Sequence, residues 1–401
     1  MISLRGILLC ALASSLPTSA WAQIRTWTNS AGQTFQAQFV RLDGNNVIFS
    51  MEGGRSFVSS LSSLCAADQT SIKNQANAIV TPAESPAPAV AAPAKPPNFG
   101  YPWPTEVRVD GASQSRVVSE DAKKGIYIYE SPHYRFTCDV KLSSDVLRNF
   151  AMMFETTWKY ISSLPLGLDG GLQRQGRYDI LLFGDSANYV RAGGSPNSAA
   201  CFVPSRGLVM APVESLGLIK SPLGYSIDVT KTNHVLIHEL AHQLTPSAYM
   251  NPSTNGWFTE GIAEYACTTP YSWGYFRCDP HGNAAIAYAT ARGEKGKGGR
   301  ALGTKIQAPR LQTFMQLPYH QFSGQAGNFN YGLGLLLTHY FCHLEGGGRA
   351  ARLTAYLKAL RAGEPIEKAH AALLAGGSFQ KLEAEFAEAW RKKGVEIVFT
   401  D

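Results

Sequence analysis

The rhythm of apolar positions changes three times along the chain. From residue 23 to about residue 73, apolar residues come in short strand-length runs at 26–28, 35–42 and 47–51. Turn formers separate them: Asn29-Ser30-Ala31-Gly32, Asp43-Gly44-Asn45-Asn46 and Glu52-Gly53-Gly54. Asp, Asn and Gly tolerate positive φ, so residues 43–46 predict a tight hairpin. Leu61, Leu64 and residues 66–69 predict a closing helical turn. Residues 78–100 then hold six prolines among many alanines, a composition that builds no core and predicts a semi-rigid linker. From 101 onward, strand-like runs at 107–109, 125–129, 134–140, 178–183 and 207–211 alternate with a helical stretch at 144–164. In that stretch Leu147, Phe150, Phe154, Trp158 and Ile161 recur at three- and four-residue spacing. Past residue 229 helical spacing dominates, and residues 349–393 read as amphipathic helices that pack on the core. A β-rich front and a helical back predict an α+β domain over 101–401.

Composition narrows the function classes. The 401 residues are 45% hydrophobic and 16% charged, too apolar for a disordered protein. No apolar run reaches the roughly 18–20 residues that a spanning helix needs, so no transmembrane segment is expected. The net charge of +6 has no basic block or stripe behind it, which removes the argument for nucleic acid as a partner. The seven cysteines contain no CxxC pair, which excludes a zinc ribbon or thioredoxin-type site.

The first 22 residues read as an address. Arg5 supplies the positive charge, residues 7–16 the apolar segment, and Ala20-Trp21-Ala22 the small residues of a cleavage site. This predicts a signal peptide cut after Ala22, and a secreted or periplasmic protein. The competing reading is a buried N-terminal helix. Cys10 follows Leu9 instead of a small residue, which argues against a lipoprotein anchor. Six cysteines would remain in an environment that permits disulfides, with Cys267 and Cys278 nearest in sequence.

One motif carries chemistry. In His238-Glu239-Leu240-Ala241-His242 the two histidines fall at i and i+4, on one helix face, where both imidazoles reach one metal ion. Glu239 beside them is placed to take a proton from a metal-activated water. A catalytic zinc ion takes three protein ligands and leaves a position for water. The metzincin continuation is absent, since Thr245 and Ala248 stand where it needs Gly and His. Instead Trp257-Phe258-Thr259-Glu260-Gly261-Ile262-Ala263-Glu264-Tyr265 follows. This pair of segments resembles the gluzincin zinc metallopeptidases, especially their aminopeptidase-like branch. The resemblance implies Zn2+ held by His238, His242 and Glu260, with Glu239 as general base. It also implies that Glu264, one turn after Glu260, accepts a hydrogen bond from a ligand histidine. For the Tyr or His that steadies the oxyanion, it points to Tyr331 in Asn330-Tyr331-Gly332-Leu333-Gly334, with His320 in reserve. The Gly332-x-Gly334 pair is no dinucleotide signal, because no strand precedes it. No Gly-x-Met-x-Asn segment stands upstream, so the aminopeptidases' hold on a free amino terminus does not carry over. The basic, Gly-rich residues 292–300 read as a solvated loop, or as a mobile lid favouring acidic substrates.

The first module also has a likeness. Arg25-Thr26-Trp27-Thr28, Gly32, Phe39-Val40, Leu42-Asp43-Gly44, Val47, Leu61, Leu64 and Asp68-Gln69 resemble the Sla-homology domain, a small SH3-like barrel known to bind Asn-Pro-Phe peptides. What carries over is the barrel fold across 23–77 and a peptide- or surface-binding role; a spacer without a ligand is the other reading. The sequence thus predicts an exported zinc metallopeptidase that hydrolyses peptide bonds in a peptide or protein substrate. The alternative is a cell-envelope adhesion or scaffold protein, in which the barrel binds protein ligands and the second domain is inactive.

Overall fold

The computed structural model describes residues 25–43, 46–50, 56–78, 96–109, 114–196, 198–221, 224–227, 234–250, 255–291 and 299–400. The expected signal segment with its cut after Ala22 lies outside these residues, as does most of the Pro/Ala stretch. The chain divides into two compact units, residues 1–85 and 86–401.

In the first unit, β1 (Arg25–Thr28), β2 (Thr34–Asp43), β3 (Asn46–Ser50) and β4 (Ser56–Ser60) form an antiparallel meander in that order. Trp27, Ala37, Val47 and Phe49 are fully buried between its strands and the following helix. Trp27 and Phe49 are therefore core residues and present no aromatic platform. The indole N–H of Trp27 donates to the Ala37 carbonyl at 2.8 Å, so its one polar atom is satisfied. α1 (Ala66–Ala78) is a 13-residue helix where the sequence suggested a single turn. Asp68 in its first turn accepts from Arg25 at 2.6 Å and from the Thr28 N–H at 2.7 Å, which fastens the helix start to β1.

The second unit is mixed α/β with several sheets. β5 (Glu106–Arg108) is followed by β6 (Arg116–Asp121), β7 (Ile126–Glu130), β8 (Tyr134–Cys138), α2 (Ser144–Ser163), β9 (Tyr178–Phe183), α3 (Ser186–Arg191), β10 (Cys201–Val203) and β11 (Leu208–Pro212). Six of these strands make one sheet in the order β10-β11-β9-β8-β7-β6, parallel at its centre and antiparallel towards both edges. α2 starts where Ser143 caps the Val146 N–H. It buries Leu147, Phe150, Phe154 and Ile161, with Phe154 edge-on to Phe136 of β8 at 4.9 Å. Each such side chain contributes about 1.5–3 kcal/mol on leaving water. Trp158 is half-buried and stacks on His133. Asn98, inside the expected linker, donates to the Ser162 and Leu164 carbonyls and accepts from the Gly167 N–H, so residues around it are held at the end of α2.

β12 (Leu218–Ser221) and β13 (Gly224–Ile227) form a hairpin, after which helices dominate. They are α4 (His234–Leu244), α5 (Gly256–Thr268), α6 (His281–Thr290), α7 (Leu311–Met315), α8 (Tyr319–Phe322), α9 (Gly327–His339), α10 (Ala351–Arg361), α11 (Ile366–Leu374) and α12 (Phe379–Arg391). Interspersed are β14 (Tyr271–Ser272) and β15 (Tyr275–Arg277), which extend β5 into a small sheet, and β16 (Lys305–Pro309) paired in parallel with β17 (Glu396–Thr400). α10 to α12 bury Leu353, Tyr356, Phe386 and Trp390 in the common core. Among the described residues no disulfide joins the cysteines, so Cys267 and Cys278 are not bonded to each other. Among the described residues no helix is long and apolar enough to cross a membrane.

Candidate metal centre

The centre sits where α4 and α5 face each other. Leu236, Ile237, Leu240, Ala241 and Leu244 bury one side of α4. Gln243 on the same helix donates to the Asp179 carbonyl at 2.9 Å and the Gly207 carbonyl at 3.0 Å, tying α4 to the large sheet. α5 is buried along almost its whole length. A Cβ on Gly261 would lie 2.7 Å from the Gly334 carbonyl oxygen and 2.3 Å from Thr338 Oγ1, so only glycine lets α5 lie this close to α9. Gly334 thus marks a helix crossing, whereas Gly332 makes room for the Leu302 side chain.

Three donor atoms converge there. His238 Nε2 and His242 Nε2 are 3.1 Å apart, and Glu260 Oε2 lies 3.2 Å from the first and 3.5 Å from the second. A small divalent ion bound at 2.0–2.1 Å in tetrahedral geometry holds its ligand atoms roughly 3.3 Å apart. Glu260 Oε2 is buried and has no hydrogen-bond partner, an orphan that would be costly without a cation. These His and Glu groups could hold a metal ion. The other oxygen of Glu260 accepts the Tyr319 hydroxyl at 2.6 Å.

Around this set lies a ring of supporting contacts. His238 Nδ1 is 3.0 Å from Glu264 Oε1, which fixes the tautomer that turns the Nε2 lone pair inward. Arg300 grips both oxygens of Glu264, donating from Nε at 2.9 Å and from Nη2 at 2.5 Å. Its charge is therefore spent on Glu264, so on the reading of residues 292–300 as a lid favouring acidic substrates Arg300 is not free to serve, while residues 292–298 lie outside the described residues. Glu239, one step from His238 on α4, accepts the Phe202 N–H at 2.7 Å; Phe202 belongs to the edge strand β10.

The electrostatics favour positive charge at this point. Burial alone would raise Glu260, but His242 and His238 outweigh it and hold the carboxyl well below its usual range. Burial would likewise raise Glu264, and His238 with Arg300 lowers it instead. For His238, burial opposes charge, yet Cys267, Glu260 and Glu264 together push its pKa well above the ordinary value.

The remaining expected residues fall as follows. Tyr331 lies on α9 one turn inside the helix and not at its start, with its ring 6.2 Å from that of His238 and nearly parallel to it. Burial, with Glu260 adding, raises the Tyr331 phenol, so it stays a hydrogen-bond donor at neutral pH. His320 is exposed on α8, and its neighbour Tyr319 is the residue that reaches Glu260. Sequence reasoning missed Tyr319, the clamp of Arg300 and the Phe202 N–H. No family model and no curated protein matches this chain. What the centre can do rests on its own residues.

Proposed function

We propose that the protein is exported and that its second unit is a zinc-dependent hydrolase of peptide bonds, acting on a peptide or protein substrate. The observation that carries this reading is the convergence of His238 Nε2, His242 Nε2 and Glu260 Oε2 within 3.1–3.5 Å, with the Glu239 carboxylate next along the same helix. His238, His242 and Glu260 would hold the zinc ion. Two imidazoles and a carboxylate are a donor set that suits zinc and leaves a position open. Zinc, when bound, supplies Lewis-acid activation of water and polarisation of a carbonyl.

The chain's own residues supply the rest. Glu239 accepts the proton of the attacking water and returns it to the leaving amine. Its carboxylate is anchored to β10 through the Phe202 N–H, so an extended peptide laid along that sheet edge is presented to it. Tyr331, kept protonated beside His238, donates to the oxygen on which charge develops. Glu264 and Arg300 hold His238 in register. The first unit, on its resemblance to the Sla-homology domain, would dock a peptide or surface ligand.

The experiment is digestion of a mixed peptide library by the wild-type chain and Glu239→Gln, with zinc counted in both. Cleavage by the wild type, lost in Glu239→Gln while zinc is retained, is expected. Equal products from both, or none from either, overturns the reading in favour of a scaffold in which the first unit does the work.

A further inference from the structure

A second group of histidines lies outside this centre. His281 begins α6, while His339 ends α9 and His343 sits one turn later in the π-helical segment Tyr340–Leu344. Single π turns in a helix recur at functional sites. His281 and His339 are almost fully buried and His343 is half-buried. His281 Nδ1 and His339 Nδ1 face each other at 2.9 Å. One ligand atom from each of the three rings lies within 4.8 Å of the others.

The partners of the outward nitrogens matter as much. His281 Nε2–H donates to the Tyr265 carbonyl at 3.0 Å, which leaves the lone pair on Nδ1, facing His339. His343 Nε2 is 2.7 Å from the hydroxyl of the same Tyr265. Metal-binding histidines nearly always commit their second nitrogen to a carbonyl or similar group, which fixes the ring and its tautomer. Tyr265 does this for two of the three rings. It follows Glu264, which does the same for His238, so α5 supports both groups. Burial leaves the imidazoles neutral at physiological pH, with His281 drawn down to about 3 and His343 to about 4.

We propose that His281, His339 and His343 form a second metal site, which takes a first-row transition ion of the class imidazole prefers. Three imidazoles without a carboxylate suit Zn2+, Cu2+ or Ni2+ and disfavour Mg2+ and Ca2+. When no ion is bound, one proton shared between the facing Nδ1 atoms satisfies the pair. On binding, that proton moves to His339 Nε2, and no proton leaves the protein. The ion would clamp the start of α6 to the end of α9. This goes beyond the proposed hydrolysis and does not depend on it.

The test uses the full chain with His238→Ala and His242→Ala, which removes the first centre. The protein is stripped with chelator, loaded with Zn2+, dialysed and analysed for metal by atomic emission, with circular dichroism as the folding check. One ion per chain is expected, falling to none when His339→Asn is added, together with a Zn2+-dependent rise in the thermal midpoint before that addition only. A folded double variant that holds no ion overturns the proposal, as does an unchanged ion count after His339→Asn. Should His339→Asn fail to fold, the half-buried His343→Gln takes its place with the same two outcomes. Loss of peptide cleavage in Glu239→Gln leaves this count untouched, so the two readings fail separately.

Discussion

Tyr319 donates its hydroxyl to Glu260 Oε1 at 2.6 Å, and the other oxygen of that carboxylate is left facing His238 and His242. The contact spends one oxygen and aims the other, so a bound ion meets a carboxylate already turned towards it. Tyr319→Phe removes this aim and leaves the packing in place. Metal affinity in a chelator competition is expected to fall about 10- to 100-fold, the usual effect of losing an outer hydrogen bond to a ligand. Unchanged affinity would mean that the Tyr319 contact does not orient the ligand.

Glu260 and Glu264 stand one turn apart and differ in what they touch. Glu260→Gln should lose nearly all stable metal binding, because it removes one of the three proposed ligands. Glu264→Gln should retain an ion, bound about 10- to 100-fold more weakly. If the same competition showed Glu264→Gln to be the more damaging, the ligand would be one helical turn further along.

Arg300 gives a pH prediction. Glu264 has its folded pKa lowered from 4.5, so it contributes stability that is present above about pH 4.5 and is lost as pH falls through the lowered value. Arg300→Met takes away one of the two causes of that lowering, after which burial weighs more heavily. The loss of stability on acidification should then be smaller and be complete at a higher pH than in the wild type. Urea denaturation from pH 3 to 7 checks it, and superimposable profiles would show that Arg300 does not hold Glu264 ionised.

Gly261→Ala sets two effects against each other. Alanine is intrinsically the better helix former, by about 1 kcal/mol. The added methyl, however, would meet backbone of α9 at 2.7 Å and the Thr338 hydroxyl at 2.3 Å, and backbone does not give way cheaply. Overpacking of this kind costs about 1–3 kcal/mol, so net destabilisation is expected in chemical denaturation. Increased stability would show that α5 and α9 can part at no cost.

The two histidines and two glutamates of the candidate metal centre were legible because spacing along two helices, or likeness to a known segment, placed them together. Tyr319 was not, since it comes from a four-residue helix 59 positions beyond Glu260 with no periodic signal to mark it. The strand Arg116–Asp121 hid for a related reason: its side chains are mostly exposed on both faces, so no alternation betrays it. α1 was read as one turn because, among its described side chains, only Ile72 is a large buried apolar group. The pairing of β16 with β17 joins residues 305–309 to 396–400, a long-range contact that local pattern does not encode. His339 and His343 stand four apart, but His281 lies 58 positions before His339 on another helix, and only the folded chain brings it to the other two.

The hydrogen bond from Phe202 to Glu239 makes the two oxygens of that carboxylate unlike each other. A free carboxylate can take up a proton on either oxygen and pass it across. Here the Phe202 N–H already engages Oε2, so in the proposed hydrolysis Oε1 is the oxygen that receives the proton of the water and releases it on the same side. The edge strand thus gives a symmetric group a front and a back.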